Sequence, residues 1–175
     1  GEGCGDDHPD PLEHLQCVHH RGERPARNEM DHLAFDLGFS GLGLIQAIEW
    51  QTHEFQSRTG MECRLDIYLR SAPLSQTAST AMFRIFQEIL TNVVRHAKAS
   101  LVKITLQEQA GGLVLEVQDN GRGITESEQA DPQSLGLVGM RERALLLGGN
   151  ITFIGNAESG TIVRVRIPLE QPPQG

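Results

Sequence analysis

FQEILTNVVRHA, at residues 86–97, is the stretch of this 175-residue sequence that predicts most about its fold. It lies within residues 80–98, where apolar residues recur at helical spacing and form one stripe. Residues four apart lie on the same face of a helix, so Glu88, Asn92 and His96 should form one line. At about 100° per residue this line falls beside the apolar stripe. We therefore expect a helix packed on the core, with these polar side chains at the edge of a pocket.

VQDNGRGI, at residues 117–124, is typical of a strand that runs into a turn. The carboxylate of Asp119 is placed at the strand end, and Gly121 and Gly123 let the backbone come close to a ligand. Asp119 can accept a hydrogen bond from an adenine amino group, whereas guanine presents a carbonyl there. Asn92 offers an amide oxygen suited to magnesium, which shares its remaining positions with waters and phosphates. The two stretches together predict a purine nucleotide site.

A third stretch, SLGLVGMRER at residues 134–143, precedes and enters a predicted helix. The first backbone amides of a helix have no intrahelical partner, and the helix dipole favours negative charge at that end. This helix entry therefore predicts a phosphate site. Arg95 and Lys98, at the end of the earlier helix, add positive charge.

Hydrophobic periodicity predicts alternating helices and strands along most of the chain. The predicted helices are 43–58, ended by Gly60, then 80–98 and 137–147, ended by Gly148-Gly149. The predicted strands are 61–69, 101–107, 113–118, 150–155 and 161–168, with a turn at Gly111-Gly112; residues 71–77 read as a polar linker and 120–134 as a long polar loop. We expect an α/β fold, a two-layer sandwich whose helices cover one face of a mixed, mostly antiparallel sheet.

The composition of the chain argues against several classes of protein. A formal net charge of -8 argues against direct nucleic-acid binding, which requires clustered basic residues. Three cysteines at irregular spacing imply no disulfide framework, and no apolar run reaches the length of a membrane span. We expect a cytoplasmic protein, or the cytoplasmic part of a membrane-bound sensor that reaches the membrane only through other parts of the full protein. Residues 1–40 are expected to be a flexible arm or remnant, and 171–175 a loose tail.

The expected arm contains several residues of types that bind zinc, which are Cys4, His8, His14, Cys17, His19 and His20. Their grouping matches no zinc-finger spacing. A mobile arm is therefore favoured over a metal site.

Three motifs resemble the nucleotide-binding boxes of one family. EILTNVVRHA at residues 88–97 resembles the asparagine box, and DNGRG at 119–123 the first glycine box, of the ATP-binding catalytic domain of bacterial sensor histidine kinases. GLVGMRER at 136–143 resembles the later glycine box, in the form typical of the nitrate-sensor and DesK-like subfamily. Residues 42–60 resemble the segment that links this subfamily's dimerisation helices to its catalytic domain. The resemblance implies a catalytic domain at residues 41–170 with the Bergerat fold of the GHKL ATPase superfamily.

The resemblance also implies ATP and magnesium as cofactors, with a role for each matched residue. Asn92 would hold magnesium and Glu88 would polarise the reacting centre or its water, so these two are the expected catalytic residues. Asp119 would contact adenine, and residues 120–134 would form the ATP lid. The expected nucleotide-binding residues are Asn92, Arg95, His96, Lys98, Asp119, Gly121, Gly123, Ile124, Gly136, Leu137, Gly139, Met140 and Thr161.

In this family the γ-phosphate passes to a histidine on a separate helical hairpin, the dimerisation domain, and then to an aspartate on a response regulator. The resemblance therefore implies both as partners. The subfamily's acceptor histidine precedes an acidic residue in a charged helix upstream of the linking segment. His53-Glu54 has that dipeptide but lies inside the linking segment, and His32 follows its acidic neighbour. None of the seven histidines fits, so we expect ATP binding without appreciable self-phosphorylation.

Two alternatives have the same fold. The first is an anti-sigma-factor-like ATP-binding regulator or serine kinase, against which the segment at residues 140–143 and Trp50 in the linking segment argue. The second is a degenerate domain that serves only protein contact. The intact asparagine box and first glycine box argue against it.

Overall fold

The computed structural model describes residues 43–69, 74–156 and 158–169. The predicted arm, the tail and the cysteine- and histidine-containing segment lie outside these described residues. The helices are α1 (Leu44–Thr59), α2 (Gln76–Asn92), α3 (Glu126–Ala130) and α4 (Leu135–Leu146). The strands are β1 (Glu62–Tyr68), β2 (Leu101–Gln109), β3 (Gly112–Asp119), β4 (Asn150–Asn156) and β5 (Gly160–Pro168).

The strands form one mixed sheet in the order β1-β2-β3-β5-β4. β1 and β2 are parallel because α2 makes the crossover between them, and the other three pairings are antiparallel. Val117 pairs with both Ile104 and Val163, which places the end of β3 in the middle of the sheet. The predicted two-layer α/β sandwich with a mostly antiparallel sheet is confirmed.

The core lies between the helices and one face of the sheet. Alternate residues of the central strands point inward, including Ile104, Leu115 and Val165, all with no exposed surface. They pack against the buried stripe of α2, which includes Phe86 and Ile85. Residues of opposite parity on the other sheet face are mostly charged or polar. The sandwich therefore has one covered and one open face, as antiparallel sheets allow.

The end of the long helix differs from the prediction. The α-helix ends at Asn92 and continues as one π-helical turn, Val93–Ala97, before Lys98 adopts a left-handed conformation with φ of 55°. A π turn has more residues per turn than an α-helix, and Glu88, Asn92 and His96 still line one cavity. Single π turns inside helices are frequently found at functional sites.

Other elements also differ from the prediction, and the predicted loop 120–134 contains the short helix α3. The hairpin turn is formed by Ala110-Gly111, with φ of 48° and 71°, rather than by Gly111-Gly112. Two positive φ values are those of a type I′ turn, which matches the strand twist. The last helix begins at residue 135 instead of 137. Helix α2 begins at residue 76, inside the predicted linker 71–77, because the Ser75 hydroxyl caps it by accepting a hydrogen bond from the Ala78 amide. No helix among the described residues is long and apolar enough to cross a membrane.

Candidate nucleotide-binding site

A cavity of about 450 Å³ opens between α2 with its π turn, α4 and the ends of the central strands. Most of the predicted site residues line it, which are Glu88, Asn92, Arg95, His96, Asp119, Gly123, Ile124, Gly136, Leu137, Met140 and Thr161. Lys98, Gly121 and Gly139 are not among the lining residues. The walls combine apolar side chains with about as many polar and charged ones.

Asp119 is held rigidly at the end of β3. Its side chain is 5% exposed, and its Oδ1 accepts hydrogen bonds from the amides of Gly121 at 2.8 Å and Thr161 at 3.3 Å. Within the described part of the chain no group bonds to the second carboxylate oxygen. Asp119 therefore offers one oriented acceptor to a ligand in the cavity.

Gly160 is the residue that lets β5 approach Asp119. Its φ is 86°, and a side-chain carbon there would collide with the Asp119 carbonyl. Only glycine satisfies both conditions without strain. Gly160 thus fixes the position of Asp119 from the neighbouring strand, although it does not line the cavity itself.

The turn after Asp119 is anchored to the end of the π turn and the start of β2. The Asn120 side chain accepts hydrogen bonds from the amides of Ser100 and Leu101 at 2.9 and 3.0 Å. A side chain at Gly121 would collide with the Ala97 carbonyl, so this glycine is needed for packing. The role of Gly121 in contacting a nucleotide, like the roles of Lys98 and Gly139, stays a prediction.

Asn92 has the properties that a magnesium ligand requires. It lies at the end of α2, is half-buried and lines the cavity. No hydrogen bond holds its side-chain amide among the described residues, so the oxygen is available to the cavity. The same residues contain no cluster of three or more histidine, cysteine, aspartate or glutamate side chains that would hold a metal ion. A single amide oxygen fits magnesium, which keeps several waters and takes phosphate oxygens when a nucleotide is present.

The start of α4 lies beside Glu88. A side chain at Gly136 would collide with the Glu88 carboxylate, so the two residues are in close approach. Among the described residues nothing accepts a hydrogen bond from the amides of Gly136 and Leu137, which are in the first turn of α4. These amides are donors for an anion at the helix N-terminus.

Arg122 and Glu128 form a two-point ion pair at the mouth of the cavity. The guanidinium donates to both carboxylate oxygens, with N–O distances of 2.6 and 3.1 Å, and both residues line the cavity. The hydrogen bond from Arg122, reinforced by the backbone and hydroxyl of Thr125, lowers the pKa of Glu128 to about 2. The same hydrogen bond raises the pKa of Arg122.

Sequence reasoning did not select every residue of the cavity as a site residue. Ile89 and Val93 are four residues apart and flank Asn92 in sequence, so helical periodicity could have placed them beside it at the cavity. Val117, Phe153 and Val163 come from strands, and only the pairing order brings them together. Other lining residues that were not selected are Ala97, Arg122, Glu128, Gln133, Ser134 and Leu135.

A family model described as "Histidine kinase-, DNA gyrase B-, and HSP90-like ATPase" matches residues 77–171, more than half of the chain. The chain belongs to this family. The match covers the asparagine box, both glycine boxes and the cavity between them. It confirms the resemblance to this ATPase family.

Similar proteins of known name are sensor histidine kinases. LiaS of Bacillus subtilis is 34% identical over 167 residues, which are 94% of this chain and 45% of LiaS. The kinase/phosphatase DegS of Brevibacillus brevis is 31% identical over 144 residues, which are 81% of this chain and 37% of DegS. The oxygen sensor NreB of Staphylococcus carnosus is 28% identical over 128 residues, 73% of this chain and 37% of NreB. The chain thus spans less than half the length of these relatives, and it corresponds to an ATP-binding catalytic domain of the sensor histidine kinase type.

Solved structures agree on the fold. The histidine kinase domain of the blue-light activated kinase from Erythrobacter litoralis EL346 has a TM-score of 0.61 at 22% identity, covering 73% of this chain and 61% of that one. The Acinetobacter baumannii kinase AdeS has a TM-score of 0.60 at 15% identity, covering 73% of this chain and 64% of that one. At such identities the likeness supports the α/β sandwich alone.

Proposed function

We propose that this chain binds ATP with magnesium and transfers the γ-phosphate to a histidine on a dimerisation domain, for relay to a response regulator. The observation that carries the proposal is the buried Asp119, which presents one free carboxylate oxygen to the cavity while two amides hold the other. An oriented acceptor of this kind suits the adenine amino group. The sensor histidine kinases among the relatives supply the reaction class.

The other residues of the cavity take roles that follow from their chemistry. The free amides at the start of α4 would donate to phosphate oxygens, and Arg95 would supply positive charge at the rim. Glu88, beside those amides, would polarise the reacting centre or its water. A neutral imidazole is already a competent nucleophile near pH 7, so this transfer demands little from a general base.

Magnesium fits the available amide of Asn92. When bound, the ion would neutralise charge on the phosphates during transfer. Asn92 would hold that ion by supplying one ligand from the end of α2. Asn92 lies one residue before the π turn, and its side chain lines the cavity.

The remaining parts of the proposal concern the larger protein. The catalytic domain would occupy residues 41–170, and residues 120–134 would form its lid. The acceptor would be on a dimerisation domain, because neither His53 in α1 nor His96 in the π turn, the two histidines among the described residues, has the sequence context of the family's acceptor. We place the domain in the cytoplasm, where its response regulator would meet it.

Phosphotransfer tests the proposal. The chain is incubated with γ-labelled ATP, magnesium and the dimerisation domain of a related sensor kinase, and label on each protein is measured. We expect acid-labile label on the added domain and none on the chain itself. Asn92→Ala should abolish transfer, and Asp119→Asn should reduce it at low ATP.

The control variant is Asp66→Asn, a half-buried aspartate on β1 outside the cavity, which should leave transfer unchanged. Acid-stable label on a serine would support the serine-kinase alternative. Rapid labelling of the chain's own histidines would show that a separate acceptor is not required.

A further inference from the structure

The Arg122 side chain joins three separate parts of the site. Its Nε donates to the His96 carbonyl at 2.8 Å, at the end of the π turn. One terminal nitrogen also donates to the neighbouring Gly123 carbonyl at 3.4 Å, and both terminal nitrogens bind Glu128 of α3. Four of the five N–H donors of the guanidinium are therefore bound to protein groups, so most of its hydrogen-bonding capacity holds the fold together.

Glu128 is the residue that fixes the start of α3. It forms a capping box with Thr125, whose hydroxyl accepts from the Glu128 amide while the Glu128 carboxylate accepts from the Thr125 amide at 2.8 Å. A five-residue helix is too short to be stable by itself. Its position therefore depends on contacts to the rest of the domain.

The other end of α3 is held more weakly. Arg141 of α4 donates to the Gln129 carbonyl at 3.1 Å and stacks on Phe153, with 5.1 Å between the guanidinium carbon and the ring centre. The Ser134 hydroxyl donates to the Glu128 carbonyl at 3.3 Å. None of the α3 residues is buried, so no buried apolar side chain packs α3 onto the rest of the domain. The charged pair at its start is the strongest attachment that it has.

We propose that Arg122 is a positioning residue that fastens α3 over the cavity and so slows the release of the bound nucleotide. The inference rests on the proposed nucleotide site. The pair lies between the turn that holds Asp119 and the segment that leads to α4. Breaking it would free α3 without touching Asp119, Asn92 or the core.

The test is the dissociation rate constant of a fluorescent ATP analogue with magnesium, measured by stopped flow on the full chain. Arg122→Gln and Glu128→Gln should each raise this rate constant by about fivefold, the upper range for a partly exposed ion pair. The double variant should be no faster than the faster single variant, because both changes break the same interaction. The association rate constant should change little.

Arg164→Gln provides the matched control. Arg164 forms a similar pair with Glu116 on the open face of the sheet, with an N–O distance of 2.7 Å and 52% of its side chain exposed, against 42% for Arg122. We expect its dissociation rate constant to equal that of the unchanged chain. A merely structural role for Arg122 would lower the melting temperature and leave the dissociation rate unchanged.

The outcomes separate the two proposals. If the unchanged chain does not bind the analogue, the proposed function fails. If it binds, and Arg122→Gln and Glu128→Gln release nucleotide at the original rate or with additive effects, the positioning role of Arg122 is wrong.

Discussion

At the scale of single residues, the site depends on glycines that permit close packing as much as on residues that contact a ligand. Gly160 lets the end of β5 lie against Asp119, and Gly121 lets the turn after Asp119 lie against the end of the π turn. The sequence places both glycines near the site. It does not distinguish a glycine that approaches a ligand from one that approaches protein backbone, because the distinction depends on which strands and turns become neighbours.

Gly160→Ala should destabilise the fold more than Gly111→Ala does. Both glycines have positive φ, 86° and 71°, so both substitutions incur the cost of a left-handed alanine, about 1–2 kcal/mol. Nothing lies within 4 Å of a carbon added at Gly111, whereas at Gly160 it collides with Asp119. We expect the collision to add about 1–3 kcal/mol, measured as a difference in free energy of unfolding by urea denaturation. Equal costs would contradict the packing role of Gly160.

The pKa of Glu128 depends on its ion pair with Arg122. The pKa of this carboxyl is about 2 in the folded protein, below its usual value of 4.5, so the pair contributes stability above about pH 4.5. That contribution is lost as pH falls towards 2. Titration of the Glu128 carboxyl carbon by NMR should give a midpoint far below 4.5, and Arg122→Gln should raise it. A normal midpoint in the unchanged chain would show that the pair does not form in solution.

At the scale of secondary-structure elements, periodicity predicted the strands and the longer helices well. The end of α1 at Gly60 is confirmed by its left-handed φ of 73°. Helix α4 ends at Leu146, one residue before its predicted end, and the amides of Gly148 and Gly149 bond back to its last turn. The π turn was not predictable from the pattern. Val93 and Ala97 are buried in the π turn, and their i, i+4 spacing is also that of an α-helix, so the apolar pattern does not distinguish the two.

The sequence contains a signal for the start of the short helix α3, although the segment was predicted to be a loop. Thr125 and Glu128 have the spacing of a capping box, which marks a helix start. The segment lacks an apolar stripe because none of its residues is buried. Composition alone therefore indicated a loop. The partner of Glu128, Arg122, is six residues away, and its contacts depend on the folded turn.

Helix α2 should contribute most of the core stability through its buried face. Phe86 has no exposed surface, and Phe86→Ala should lower the free energy of unfolding by about 3–5 kcal/mol, because it leaves a cavity in a close-packed layer. Val94, in the π turn that continues α2, is 51% exposed, and Val94→Ala should change the free energy of unfolding by less than about 0.5 kcal/mol. Chemical denaturation measures both. Comparable losses would mean that the Val94 side chain, too, is packed.

At the scale of the whole molecule, the fold brings together segments that are far apart in sequence. The asparagine box enters from α2, Asp119 from the central strand β3, and the amides of Gly136 and Leu137 from α4. The α/β class and the nucleotide class of the site could be predicted from motif order. The cavity walls from β4 and β5 could not, because they depend on β5 inserting between β3 and β4.

The central claim is that ATP binds in this cavity through Asp119. Isothermal titration calorimetry of ATP with magnesium should show one site on the unchanged chain and on Asp66→Asn. Asp119→Asn should weaken binding by at least about tenfold, since it replaces a charged acceptor of the adenine amino group with a neutral amide. GTP should bind the unchanged chain much more weakly than ATP does. Equal affinity of the unchanged chain and Asp119→Asn for ATP would contradict the account.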